Sequence, residues 1–157
     1  MNGVSILTDS QFADNHTFVD HRSAQCRSNE MYKGVYMERA KGVFNGKIMV
    51  RQDSQKIDAF QSNNNLLLSE DATIDSKPQL EIYADDVKCS HGCTIGQLDE
   101  DALFYMRSRG IGITEAKAVL TYAFASEAIN NISVEKVSLL AKKLLSKKLN
   151  VDLDFSV

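Results

Sequence analysis

The sequence of 157 residues predicts a mainly β body followed by a small helical part. Before Gly96, short apolar runs alternate with turn residues and show no helical repeat. After Gly96, apolar residues recur at the three- and four-residue spacing of amphipathic helices. We therefore expect two domains, residues 1–96 and 97–157. Periodicity alone leaves the β body open as a sandwich, a barrel or a solenoid.

Composition and charge exclude several classes of protein. The hydrophobic fraction of 43% and the charged fraction of 25% are typical of a globular chain. The formal net charge is -3, and no basic run is interleaved with aromatic residues, so no nucleic-acid partner is expected. No segment approaches the roughly 20 apolar residues that cross a bilayer, and residues 1–14 do not resemble a signal peptide. We expect a cytoplasmic protein with no membrane partner.

The candidate strands in the first part are short and rich in β-branched, aromatic and aliphatic residues. They are residues 17–19, 35–37, 43–44, 48–50, 65–68, 80–83 and 87–89. By local rules, Asn45-Gly46 between two of these runs predicts a hairpin turn and an antiparallel sheet. The run Asn63-Asn64-Asn65 predicts either a corner that feeds a buried strand or a polar loop.

Three helices are predicted after Gly96. Asp99 begins the first, which carries Arg107 and Arg109 in its last turn and ends at a left-handed Gly110. Thr114 is the predicted N-cap of the second helix, and Ser133 that of the third. Each of the last two helices carries an apolar stripe.

The residues most able to carry chemistry are Cys89, His91 and Cys93. On an extended strand they share one face, where thiols and an imidazole can bind a transition metal or cluster iron. Their nearly linear spacing is poor for a tetrahedral site, so further ligands would have to come from elsewhere. A cysteine buried as a small hydrophobic residue is an equally good interpretation.

Other chemical signatures are weak. Asp85 and Asp86 are adjacent, which on a strand places them on opposite sides and disfavours an acid and base pair. His16 and His21 match no specific ligand pattern and are better interpreted as solvated loop residues. The sequence has no glycine-rich loop for ATP.

The run KPQLEIYADDVKCSHG at residues 77–92 resembles the SufB/SufD family of iron-sulfur cluster assembly proteins, and SufD in particular. The similarity continues in LFY at 103–105 and SRGI at 108–111, and in GVFNG at 42–46, NNNLLL at 63–68 and YAFA at 122–125. It covers roughly residues 15–130.

The resemblance implies a right-handed parallel β-helix, of which these are the C-terminal turns, followed by a small α-helical domain. Asn45-Gly46 then becomes a corner or an in-strand pair, and Asn63-Asn64-Asn65 becomes a stacked corner. Members of the family are longer, which implies that this chain is a C-terminal part.

The resemblance also implies a non-catalytic scaffold that pairs with a SufB-like paralogue and docks a SufC-like ABC ATPase. His91 matches the family histidine at the SufB interface, and Cys89 is its neighbour. They are candidates to bind iron or an iron-sulfur cluster together with the partner, while no cofactor is expected in the isolated chain. Cys93 departs from the family pattern.

On the helical side, Phe104, Tyr105, Arg107 and Arg109 are candidates for docking the ATPase, because aromatic and arginine residues anchor interfaces. Packing of the aromatic rings inside the helical bundle is the alternative.

Two other functions stay open at this point. One is a β-helix enzyme acting on carbohydrate through Asp85, Asp86 or other carboxylates. The other is a structural fragment that forms a homodimer through an exposed end of the sheet.

Overall fold

The computed structural model describes residues 1–150 and shows strands followed by helices. The strands are β1 (Asn2–Leu7), β2 (Phe12–His21), β3 (Arg27–Tyr36), β4 (Lys41–Val50), β5 (Ile57–Leu67), β6 (Thr73–Ile82) and β7 (Val87–Gly96). The helices are α1 (Glu100–Ser108), α2 (Ile113–Ile129) and α3 (Glu135–Leu149).

All strand pairs are parallel and form two sheets. One sheet has the order β1-β3-β5-β7, and the other has the order β2-β4-β6. Consecutive strands alternate between the sheets, so the chain winds through about three turns of a β-helix before it reaches β7. The prediction of a parallel β-helix followed by helices is confirmed.

The corners of the β-helix repeat a left-handed backbone conformation. Asp9 and Glu38 follow β1 and β3 with φ of 57° and 56°. Gln25 and Lys56 precede β3 and β5 with φ of 61° and 60°. None of the four is glycine, so successive turns hold these residues in a conformation that is uncommon outside glycine.

Side chains from alternate residues fill the inside of the β-helix. Two apolar clusters fill the interior at the two ends of the strands. One contains Ile48, Val50, Ile57, Ala59 and Ala84, and the other contains Tyr36, Ala40, Ala72 and Ile74. Between them lies a polar interior of Glu30, Gln61, Asn63 and Asn65, whose exposed fractions are 0%, 0%, 3% and 1%. This polar stretch lies on β3 and β5, the strands that precede β7 in its sheet.

Asn45-Gly46 lies in the middle of β4, not in a turn. Gly46 is paired with Thr17 of β2 on one side and Pro78 of β6 on the other. A Cβ atom at Gly46 would lie 2.4 Å from Nε2 of Gln61. The hairpin prediction is therefore wrong, because the glycine makes room for a buried side chain. The in-strand position that the family resemblance allows is the observed one.

The asparagine run lies within β5, so both the stacked corner and the polar loop are wrong. Asn65 Nδ2 donates a hydrogen bond of 2.7 Å to Oδ1 of Asn63. Ser76 Oγ of β6 donates to the same oxygen at 2.7 Å. Asn63 and Asn65 point inward, where Oδ1 of Asn63 accepts both of these hydrogen bonds, while Oδ1 of Asn65 is buried without a partner among residues 1–150.

The first helix begins and ends as predicted. Oδ1 of Asp99 accepts hydrogen bonds from the backbone N–H groups of Asp101 and Ala102, at 2.8 and 3.4 Å. Gly110 follows the helix with φ of 86°. Local capping chemistry therefore sets both ends of α1.

The N-caps of the other two helices differ from the prediction. Gly112 precedes α2 and Val134 precedes α3, in place of Thr114 and Ser133, and neither cap makes a side-chain hydrogen bond. Tertiary packing, rather than capping, therefore sets where these helices begin.

Helix α2 packs on the outer face of the first sheet. Lys33 of β3 forms an ion pair with Glu127, and its Nζ lies 4.3 Å from the ring centroid of Phe124. An apolar cluster of Ala125, Ile129 and Leu145 continues the contact to Val4 and Ile6 of β1. The helices are thus joined to the β-helix through β1 and β3, the first two strands of this sheet. No helix among the described residues is long and apolar enough to span a membrane.

Candidate functional site

Strand β7 forms one edge of the first sheet. It is hydrogen-bonded to β5, and within residues 1–150 no strand pairs with its other side. It continues unbroken through Gly92, so Cys89, His91 and Cys93 alternate onto one face. The register places Cys89 beside Ala59, His91 beside Gln61 and Cys93 beside Asn63 of β5. All three residues of β5 are buried inside the β-helix.

Cys89 packs against the apolar cluster that contains Ala59 and is half-buried. Burial raises the pKa of its thiol, partly offset by a hydrogen bond with the backbone of Ala59, while the charge of Asp58 raises it further. The protonated thiol is therefore favoured at neutral pH, and a metal or a positively charged group would be needed to stabilise the thiolate.

Cys93 is exposed and begins a chain of hydrogen bonds that runs into the β-helix. Its Sγ donates to Oγ of Ser76 at 3.2 Å, and Ser76 donates to Oδ1 of Asn63 at 2.7 Å. The thiol is thus anchored at the rim of the polar interior, which the family pattern did not lead us to expect.

His91 is exposed and lies one strand beyond Gln61, its partner in the register. Below it, Nε2 of Gln61 donates a hydrogen bond of 2.6 Å to Oε2 of Glu30. Both Glu30 and Gln61 are fully buried. Sequence reasoning missed these two residues, and the signal that finds them is the spacing of about 30 residues between paired strands.

The described residues contain no group of three or more histidine, cysteine, aspartate or glutamate side chains arranged to bind a metal ion. Alternate residues on a strand are separated by about 6.6 Å, so Cys89 and His91 can contribute to a site but cannot enclose an ion. The donor set fits iron in ligand type, because thiolate and imidazole are suitable ligands. Cys89 and His91 therefore supply only part of a metal site among the described residues.

The other candidate acids and histidines do not form a site. Asp85 and Asp86 lie in the turn between β6 and β7 rather than on a strand. His16 is on β2 and pairs with Asp14 at 2.9 Å on the outside. His21, also on β2, is buried, and its Nε2 lies 2.9 Å from Oγ of Ser28. The interpretation of both histidines as loop residues is wrong, because β2 is longer than the run of apolar residues that predicted it.

On α1, the aromatic candidates face outward. Phe104 is 74% exposed and Tyr105 is 59% exposed, so packing inside the helical bundle does not occur for either ring. The guanidinium group of Arg109 lies 5.1 Å from the ring centroid of Tyr105, and Arg107 is exposed beside them. All four side chains are exposed, and we refer to them together as the α1 surface.

An apolar groove of about 470 Å³ lies at the opposite edge of the same sheet, between β1 and the last two helices. Its walls include Val4, Ile129 and Leu144. It contains no nucleophile or metal ligand of the kind found on β7.

The family model described as SUF system FeS cluster assembly, SufBD core domain, matches residues 1–124. This chain belongs to the SufBD core family. The match includes all seven strands and α1, and therefore β7 and the α1 surface. The resemblance inferred from the motifs around Cys89 and His91 is confirmed.

Curated relatives support the same family assignment. The iron-sulfur cluster assembly protein SufD of Escherichia coli is 43% identical over 127 residues, which are 81% of this chain and 30% of the relative. The SufBD family protein slr0076 of Synechocystis is 43% identical over 129 residues, 82% of this chain and 28% of the relative. SufD of Bacillus subtilis is 29% identical and covers 94% of this chain. The chain therefore spans about a third of the length of these relatives.

Proposed function

We propose that this chain is a non-catalytic scaffold of iron-sulfur cluster assembly that offers β7 to a SufB-like partner. The observation that carries this function is the position of Cys89 and His91 on an edge strand whose far side is unpaired among the described residues. A parallel edge strand can extend its sheet into another chain, and the partner would then supply the missing ligands. Iron or an iron-sulfur cluster would be bound between the two chains.

The helical part has a separate role in this proposal. Residues 1–96 act as the β-helix unit and residues 97–157 as the unit that docks a SufC-like ATPase. The α1 surface supports this role, because exposed aromatic and arginine side chains are the residues that most often anchor an interface. The protein would act in the cytoplasm, where the partners and reduced thiols are available.

The test is reconstitution with the SufB-like and SufC-like proteins from the same source, under anaerobic conditions with iron and sulfide. We expect His91→Ala to reduce the iron-sulfur content of the complex tenfold or more, as loss of a metal-site histidine does. Capture of the SufB-like partner should be retained. His16→Ala is the matched control, since His16 is also an exposed strand histidine but lies on the other sheet.

Equal cluster content in the wild type and in His91→Ala would contradict the role of His91. Failure of the folded wild-type chain to capture the SufB-like partner would contradict the scaffold function itself.

Self-association is the second candidate, favoured by the same open edge of β7. Two copies pairing through β7 would give a homodimer in the absence of the partner. Size-exclusion chromatography with light scattering, with and without the SufB-like protein, distinguishes the two. A dimer that persists when the partner is in excess would favour the structural role.

A further inference from the structure

The side-chain amide of Gln61 is held in one orientation. Its Nε2 donates a short hydrogen bond of 2.6 Å to Oε2 of Glu30. The glycine at position 46 leaves the space that this amide occupies. Since Nε2 is committed to Glu30, the amide oxygen Oε1 has to face elsewhere.

Oε1 of Gln61 is buried and has no hydrogen-bond partner among residues 1–150. A buried polar atom left in this state destabilises the folded protein. Oε1 of Glu30 is also buried without a hydrogen-bond partner among residues 1–150, and both side chains are 0% exposed. The pair therefore has two acceptor oxygens for which the described residues supply no donor.

The nearest residue in register on the outer side is His91. β5 and β7 pair Gln61 with His91, and alternation along β7 places His91 on the same face as Cys89, which packs against the interior cluster. Paired parallel strands are about 4.8 Å apart, which is within reach of an imidazole N–H turned towards the strand below. In the same register, Cys89 and Cys93 lie beside Ala59 and Asn63.

We propose that Gln61 is a positioning residue for His91. Oε1 of Gln61 accepts a hydrogen bond from the imidazole N–H of His91, while Glu30 holds Nε2 of Gln61. This role rests on the proposed function of His91 at the partner interface. A neutral imidazole has one N–H and one lone pair, and a fixed acceptor for the N–H selects the tautomer. The lone pair of the other nitrogen then points away from Gln61, where a metal ion shared with a partner would bind. Metal-binding histidines are usually held in this way by a second hydrogen bond.

The test is the tautomer of His91 in the full chain, read from ¹⁵N chemical shifts of the imidazole nitrogens by NMR in alkaline buffer. The chain has three histidines, so His16 and His21 serve as internal references. Gln61→Met keeps the length of the side chain and removes the acceptor. We expect the ratio of the two His91 tautomers to move roughly fivefold towards an even mixture, since one ordinary hydrogen bond is lost. His16 and His21 should keep their ratios.

The matched control is Gln52→Met, the same substitution at an exposed turn residue, which should leave all three histidines unchanged. If Gln61→Met does not fold, Glu30→Gln gives a second test. It preserves the shape of the interior but replaces the carboxyl group that binds Gln61 with an amide. The tautomer ratio of His91 should then shift in the same direction by a smaller factor.

An unchanged His91 ratio in a folded Gln61→Met or Glu30→Gln variant would overturn this role. The measurement uses the isolated chain without iron or partner. A negative result here therefore leaves the scaffold function intact, whereas failure to capture the partner leaves the tautomer result standing.

Discussion

The substitution Gly46→Ala tests how tightly the polar interior is built. A Cβ atom at this position would lie 2.4 Å from Nε2 of Gln61 and 2.7 Å from Cζ of Phe44. Both neighbours are almost completely buried, and Gln61 is fixed by Glu30. Gln61 therefore cannot move without giving up its hydrogen bond.

Three effects set the magnitude. Loss of the hydrogen bond between Gln61 and Glu30 costs about 1–3 kcal/mol, because both groups stay buried without it. Overpacking against the ring of Phe44 costs about 1–3 kcal/mol. Replacing a strand glycine by alanine returns about 0.5–1 kcal/mol. We expect Gly46→Ala to lower the free energy of unfolding by about 2–4 kcal/mol, allowing for partial relaxation.

The assay is urea denaturation followed by circular dichroism, with Gly92→Ala as the matched control. Gly92 is also inside a strand, but no heavy atom of the described structure lies within 4 Å of a Cβ built there, apart from its own chain neighbours. The control should be as stable as the wild type or more stable by about 0.5–1 kcal/mol. A Gly46→Ala variant that matches Gly92→Ala in stability would refute the account of the interior.

Three further predictions follow from named contacts. Lys33→Ala should lower the free energy of unfolding by about 1–3 kcal/mol, because it removes a buried aliphatic stem and its contact with the ring of Phe124. Lys33→Met keeps most of the stem and should show a smaller loss in urea denaturation. Burial lowers the pKa of His21, so the folded state favours the neutral imidazole. Stability should therefore decline as pH falls below about 6.5. His21→Gln should flatten that decline in denaturation curves measured from about pH 7.5 to 5.5. Phe104→Ala and Tyr105→Ala should each weaken binding of the SufC-like ATPase by about 2 kcal/mol in titration calorimetry, while wild-type affinity in both variants would exclude the α1 surface from the docking site.

Local chemistry predicted the parts of the structure that are held locally. Asp99 caps α1 because its carboxylate reaches backbone N–H groups only two and three residues away. Cys89, His91 and Cys93 share a face because strand residues alternate. Neither inference depends on what lies elsewhere in the chain.

The predictions that were wrong depend on residues that are distant in the sequence. Asn45-Gly46 reads as a turn in isolation, but Gln61 of the next turn of the β-helix occupies the space beside Gly46. The N-caps of α2 and α3 are displaced because packing on β1 and β3, not a capping side chain, sets those helices. Glu30 and Gln61 became visible as neighbours of His91 only through the strand register.

The most direct test of the central claim is hydrogen–deuterium exchange of the chain alone and with the SufB-like partner. If β7 is the partner interface, the backbone amides of β7 should exchange at least tenfold more slowly in the complex, because an added strand protects an open edge. Amides of β2, at the edge of the other sheet, should keep their rates. Unchanged exchange in β7, with protection appearing elsewhere in a complex that does form, would contradict the account.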